Sequence, residues 1–225
     1  MTDQPHPIVN SRVAAMRFLV AGAIGGLLWA PYGVFEILEP WGADTLYRDE
    51  LAYEVVIDPL LYRVYSVPGS LALLLTACGL LGVIGALGQP VGRTTRALVS
   101  AAVALAILSV AGVIIPFDPL FTAPRIAGTL ALGAGMLLAG IEASRTGVAA
   151  EWSAALMALG LLGLFLLPLW PLVHAIALVP EAAGAGVIAL FGFGWVLLGS
   201  RVWYWSPAAN YPDAGAVRQV RALAR

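Results

Sequence analysis

Apolar and polar positions in this chain separate into long blocks, not into the short alternation of a soluble domain. Charge-free runs of about bilayer length follow one another, and one long polar interval, Pro40 to Val67, interrupts them. A run of about 20 apolar residues suits a helix that crosses a bilayer, because a helix satisfies its own backbone N–H and C=O groups. Six spans are predicted, at about 13–38, 68–87, 97–115, 124–142, 152–170 and 180–203. Residues 1–12 and 204–225 read as tails, and 40–67 as a polar segment outside the membrane. The expected fold is therefore an all-α, polytopic integral membrane protein with six transmembrane helices.

Small residues and prolines refine that picture. Gly22 and Gly26 form a small-xxx-small pair for close helix approach, and Pro31 should kink the first helix. Gly79, Gly82, Gly85 and Gly88 recur every third residue, while Ala131, Gly135 and Ala139 form a stripe. Both patterns predict tightly packed faces, with Gly82 and Gly135 at helix–helix contacts. Pro68, Pro124 and Pro180 are 56 residues apart and read as the openings of helices two, four and six. Asp58-Pro59-Leu60 and Asp118-Pro119-Leu120 also precede helices two and four. This spacing admits three quasi-repeated helical hairpins. The block from Trp152 to Pro180 is charge-free for 29 residues, longer than one span needs. Pro168 and Pro171 should end the fifth helix near Trp170, leaving Leu172 to Val179 as an interfacial or re-entrant piece.

Composition agrees with the membrane reading: 60% of residues are hydrophobic and 11% charged, too apolar for a water-soluble core to bury. Net charge is −1, with no basic run, so nucleic acid is not an expected partner. All twelve basic residues are arginine, and with the N-terminus inside nine fall on the cytoplasmic side and three outside. The positive-inside rule then places both termini in the cytoplasm of a multi-pass cell-membrane protein. Arg12 and Arg17 resemble the start of a signal peptide. Pro31, however, follows the only small-residue cleavage point, near Ala30, and a retained first helix is expected. A single cysteine, Cys78, excludes an intrachain disulfide and sits in an apolar run.

Candidate chemistry lies on the outer side. Glu50, Glu54 and Asp58 are spaced by four, so a helix there would align an acidic surface stripe. Glu36 lies in the last apolar turns of helix one, where an ionisable group is costly unless it faces a bundle interior or a wet cavity. Glu39, Arg63, Asp118, Arg125, His174 and Glu181 fall near the same membrane surface and complete a candidate outer-face site. One histidine in the apolar region supports neither a haem nor a zinc site, and no metal or cofactor is expected. No phosphate-cradling loop, nucleophile elbow, HExxH or CxxC motif is present.

Two classes of function fit. The first is a non-enzymatic subunit, scaffold or binding module for lipid or small solutes. Its partners would be the lipid bilayer and a membrane protein or a second copy of the chain. The alternative is a membrane-embedded enzyme or transporter using an outward-facing acidic site around Glu36. Few ionisable groups at mid-membrane weigh against an ion-coupled transporter, and the first class is preferred.

Overall fold

The computed structural model describes residues 7–38, 44–49, 51, 53–87, 91–145, 150–166 and 181–205. Among these, each apolar block forms a helix. They are α1 (Pro7–Leu38), α2 (Pro59–Leu87), α3 (Arg93–Ile114), α4 (Asp118–Arg145), α5 (Ala150–Leu161) and α6 (Glu181–Trp205). A π-helical turn, Leu162–Leu166, continues α5. Stretches of α1 to α4 are long and apolar enough to cross a membrane; α5 and α6 add shorter apolar stretches, Trp152–Leu164 and Gly186–Ser200. Large apolar side chains such as Leu27, Ile107, Ile114 and Phe193 point outward from the bundle. That surface suits lipid better than water.

Two helix starts differ from the expected ones. Pro68 and Pro124 lie inside α2 and α4, which begin earlier. The Asp-Pro pairs are the true starts. Asp58 Oδ1 accepts hydrogen bonds from the Leu60 and Leu61 N–H groups, each at 3.0 Å, while Pro59 takes the first helical position. An aspartate cap followed by proline is favoured there, because the missing N–H would have had no helical partner. The Pro68–Pro124 interval therefore does not mark helix openings, and Pro180 lies outside the described residues. Leu172 to Val179 also lies outside them.

The first half of the polar interval holds a β-hairpin where the acid spacing suggested a helix, and its last nine residues open α2. Strand β1 (Thr45–Arg48) pairs antiparallel with β2 (Tyr53–Val56), placing Thr45 opposite Val56 and Arg48 opposite Tyr53. Thr45, Tyr47, Tyr53, Val55 and Val56 are residues that fit a pleated surface, and here they outweigh the four-residue spacing of the acids. Glu54 and Asp58 therefore do not share a helical face. Glu54 belongs to β2, Asp58 caps α2, and Glu50 lies outside the described residues.

Glycine decides the packing. Neighbours around the bundle run α6–α1–α2–α3–α4–α5. Along α1 and α2, Gly22 meets Gly79, Gly25 meets the backbone between Ala72 and Thr76, and the Tyr32 ring lies over Gly69. Gly26 meets the backbone of Gly192 on α6, and Trp195 packs into the same node. On the other side, Gly133 and Gly140 of α4 meet the backbone of α5 and the π turn. Gly135 packs against Val99 and Leu80, and Ala131, Gly135 and Ala139 are all buried, as the stripe predicted. Gly79 and Gly82 are buried whereas Gly85 is exposed. A three-residue step falls about 60° short of a full helical rotation, so such a row drifts off its face.

A polar contact joins α2 to α3 in the interior: the Ser70 and Ser109 hydroxyls are 3.0 Å apart and buried. Between α5 and α6 the ring closes loosely. A mainly apolar cavity of about 310 Å³ opens there beside Trp152, Leu159, Gly194 and Leu198.

Candidate functional site

The hairpin covers one end of α2, α3 and α4, and most of the polar side chains of interest gather beneath it. Asp44, just before β1, fixes the hairpin base: its carbonyl accepts the Ile57 N–H at 2.7 Å and the Asp58 N–H at 3.1 Å. Tyr53 of β2 packs edge-on against Phe117 in the α3–α4 turn, at 5.6 Å between ring centres. Val56 rests on a small cluster of Tyr62, Val113 and Phe121. These contacts press the hairpin onto the helix ends.

Asp44 is only 1% exposed and Tyr62 only 2%. Among the described residues Asp44 Oδ1 has no hydrogen-bond partner, and the side chains of Ser66 and Asp118 lie beside the Tyr62 hydroxyl. Asp118 Oδ1 accepts the Thr122 hydroxyl at 2.8 Å. Asp118 in turn lies within the electrostatic reach of Asp44 and Glu54. Glu54 Oε2 accepts the Thr45 hydroxyl at 2.7 Å, which ties the two strands together. The result is an acid-rich floor beneath the hairpin, with a buried phenol beside it.

Arg125 stands on the α1 side of this end. Its guanidinium lies 4.8 Å from the centre of the Phe121 ring and 5.1 Å from that of Tyr32. Phe121 also packs edge-on against Tyr62 at 5.7 Å, so one ring links the arginine to the acid-rich floor. Cations over aromatic faces gain from the ring quadrupole, most strongly away from water.

The expected outer-face residues divide between these arrangements. Asp118 belongs to the acidic floor and Arg125 to the aromatic sandwich. Arg63 is exposed and serves α3 instead: its Nε and Nη2 donate to the carbonyls of Val113 and Ile114 at 3.4 and 2.9 Å. That arrangement satisfies the orphan acceptors of a helix C-terminus. Glu36 is placed in α1 one turn beyond Tyr32, and Glu181 opens α6, but their side chains lie outside the described ones. Glu39 and His174 lie outside the described residues altogether. Asp44 and Tyr62 were missed because a lone aspartate and one of several tyrosines in a polar segment carry no motif. The one available signal was the density of acids and tyrosines between Pro40 and Val67.

Among the described residues, no three His, Cys, Asp or Glu side chains converge as a polydentate metal site requires. No family, curated protein or solved structure matches this chain.

The opposite end carries a different polar feature. Glu142 of α4 accepts the Gly92 N–H at 3.0 Å through Oε2 and the Thr95 hydroxyl at 2.9 Å through Oε1. Gly92 precedes α3 and has no side chain with which to cap it. A carboxylate from the neighbouring helix supplies the cap, where the helix dipole favours negative charge.

Proposed function

We propose that this protein is a non-enzymatic, multi-pass component of the cytoplasmic membrane, a subunit or binding module whose working end is the hairpin-covered one. The observation that supports this reading is the uneven distribution of polar groups. The middle of the bundle is packed by glycine, alanine and apolar side chains, with few polar contacts such as Ser70–Ser109. The carboxylates and the buried phenol gather under the hairpin. Its partners are the lipid bilayer and a membrane protein or a second copy of the chain.

The nine-to-three arginine split orients the hairpin end outward, with both termini in the cytoplasm. Cysteines placed at exposed Asp49 and Arg145, in a Cys78→Ala background, test this with an impermeant thiol reagent on intact cells. Labelling at position 49 alone is expected. Labelling at 145 and not at 49 would reverse the orientation.

A second reading, an enzyme or transporter working through an outer acidic site at Glu36, draws support from one contact. Arg125 meets Tyr32, one turn before position 36 on α1. Glu39, Arg63, Asp118, Arg125, His174 and Glu181 would be its other members. Purification in mild detergent separates the two: a stoichiometric protein partner or a defined oligomer is expected from the first. A bound small molecule with no protein partner, retained by the wild type and lost in Glu36→Gln, would favour the second.

A further inference from the structure

The geometry points to a binding site for one acyl chain of an anionic phospholipid in the groove between α5 and α6, in the half of the bundle remote from the hairpin. The site does not depend on what the hairpin end does; it needs only that the helices lie in a bilayer. The cavity of about 310 Å³ there opens outward, since Ala158 in its wall is exposed while Leu159 and Leu198 are buried. Small residues make the groove: Ala155 and Ala158 on α5 and Gly194 on α6 stand where longer side chains would fill it. Leu159 lies against Gly194 at the end deeper along α5.

Shape and charge specify the occupant. From Trp152 to Leu159 the groove follows α5 for about 10 Å, from near the helix start toward the middle of the bundle. An acyl chain descends from the membrane surface along such a path, whereas a packing helix presents separate side-chain knobs. Of the lining residues only Trp152 carries a polar side-chain atom, so nothing in the groove would orient a polar solute. Trp152, half-buried, marks the mouth, where an indole suits the level of lipid headgroups. The described charges flanking the mouth are positive. Arg145 ends α4, the neighbour of α5, and Arg17 lies on α1, the neighbour of α6; both are exposed. Their levels match that of the mouth, because Gly140 meets the Ser153 carbonyl and Gly199 meets the Leu19 carbonyl. Glu142 is engaged by Gly92 and Thr95 on the α3 side. At this level the sequence adds one acid, Glu151, and one more arginine, Arg201, which leaves the balance positive. Arginines on both sides of the groove favour a lipid whose headgroup is net negative.

The test is native mass spectrometry of the purified full chain in detergent, titrated with phosphatidylglycerol or with phosphatidylcholine of identical acyl chains. One phosphatidylglycerol per chain is expected, held about tenfold more tightly than phosphatidylcholine. Ala158→Phe fills the groove from its open side. It should lower that retention about tenfold while the chain melts at or above the wild-type temperature. Ala155→Leu fills the groove with a smaller group and should act in the same direction. The double variant Arg17→Gln and Arg145→Gln should keep one bound lipid and lose the preference for phosphatidylglycerol. Gly186→Leu, in open space elsewhere on α6, should bind as the wild type does. A wild type that retains neither lipid, or both equally, overturns the proposal. Retention unchanged in both groove-filling variants also overturns it, because the lipid then sits elsewhere. A lipid-free dimer that Ala158→Phe splits would give the groove to a second copy of the chain and overturn it as well. None of these results bears on the hairpin end, whose partner is read by co-purification.

Discussion

Gly79→Leu is expected to separate α1 from α2 and to give a large loss of stability. A Cβ at position 79 would press on the Cα of Gly22 and lie 3.0 Å from its backbone nitrogen, with the Trp195 ring 3.3 Å away. Backbone cannot rotate aside as a side-chain tip can, so the strain must move whole helices. Overpacking costs roughly 1–3 kcal/mol and sometimes more, and this node, where three helices meet, lies at the upper end. Membrane helices associate through such close packing, because lipid offers no hydrophobic drive between them. Gly135→Leu should cost less, since its nearest neighbours are the Val99 and Leu80 side chains, at 3.1 and 3.6 Å. Gly186→Leu is the control, because a Cβ there meets nothing within 4 Å. Melting in detergent should rank the three in that order. Equal melting of Gly79→Leu and Gly186→Leu would show that the Gly22–Gly79 contact is not part of the folded bundle.

Glu142→Ala is expected to cost about 2 kcal/mol of stability. The substitution leaves the Gly92 N–H and the Thr95 hydroxyl without their acceptor, at a helix start that has no cap of its own. Glu142→Gln keeps one oxygen and the side-chain length and should recover part of the loss. Because the carboxylate is partly buried between α3 and α4, the effect should persist at high salt, where exposed ion pairs are screened. Chemical denaturation of the three proteins at low and high salt checks this. A neutral Glu142→Ala would mean that water caps α3 equally well.

Much of this fold was legible from the blocks alone, since a charge-free run of bilayer length has few alternatives to a helix. The small-xxx-small pair at Gly22 and Gly26 was legible for the same reason, as close approach leaves few residue choices. The helix starts were not legible at Pro68 and Pro124, because proline reads as a boundary in sequence yet lies inside α2 and α4. In a packed membrane helix, neighbouring groups can satisfy the carbonyl that an interior proline frees, so proline loses its force as a stop signal. The Asp-Pro pairs carried the better information, because both stand at a helix start and Asp58 also caps its helix. The hairpin was missed because its four-residue acid spacing imitates a helix over so short a stretch. Only the aromatic and β-branched residues on either side of Asp49 and Leu51 marked it as strand. Asp44 and Tyr62 were out of reach for another reason. Their burial arises from a hairpin folding back on α2 and α4, a long-range event that leaves no local trace. Glu142 likewise draws its role from Gly92, fifty residues away in the chain.

The loose closure between α5 and α6 makes the bundle mechanically uneven. The α1–α2–α6 side has backbone seated on backbone at Gly22, Gly79, Gly26 and Gly192, which leaves no slack to absorb displacement. The α5–α6 side holds about 310 Å³ of mainly apolar space, and α5 ends in a π turn whose hydrogen-bond register departs from the regular helix. In a bilayer, lateral squeezing or thinning would be taken up first by α5, as a compliant element beside a stiff one. The hairpin end, borne by α2 and α4, would keep its geometry while the lipid around it changes.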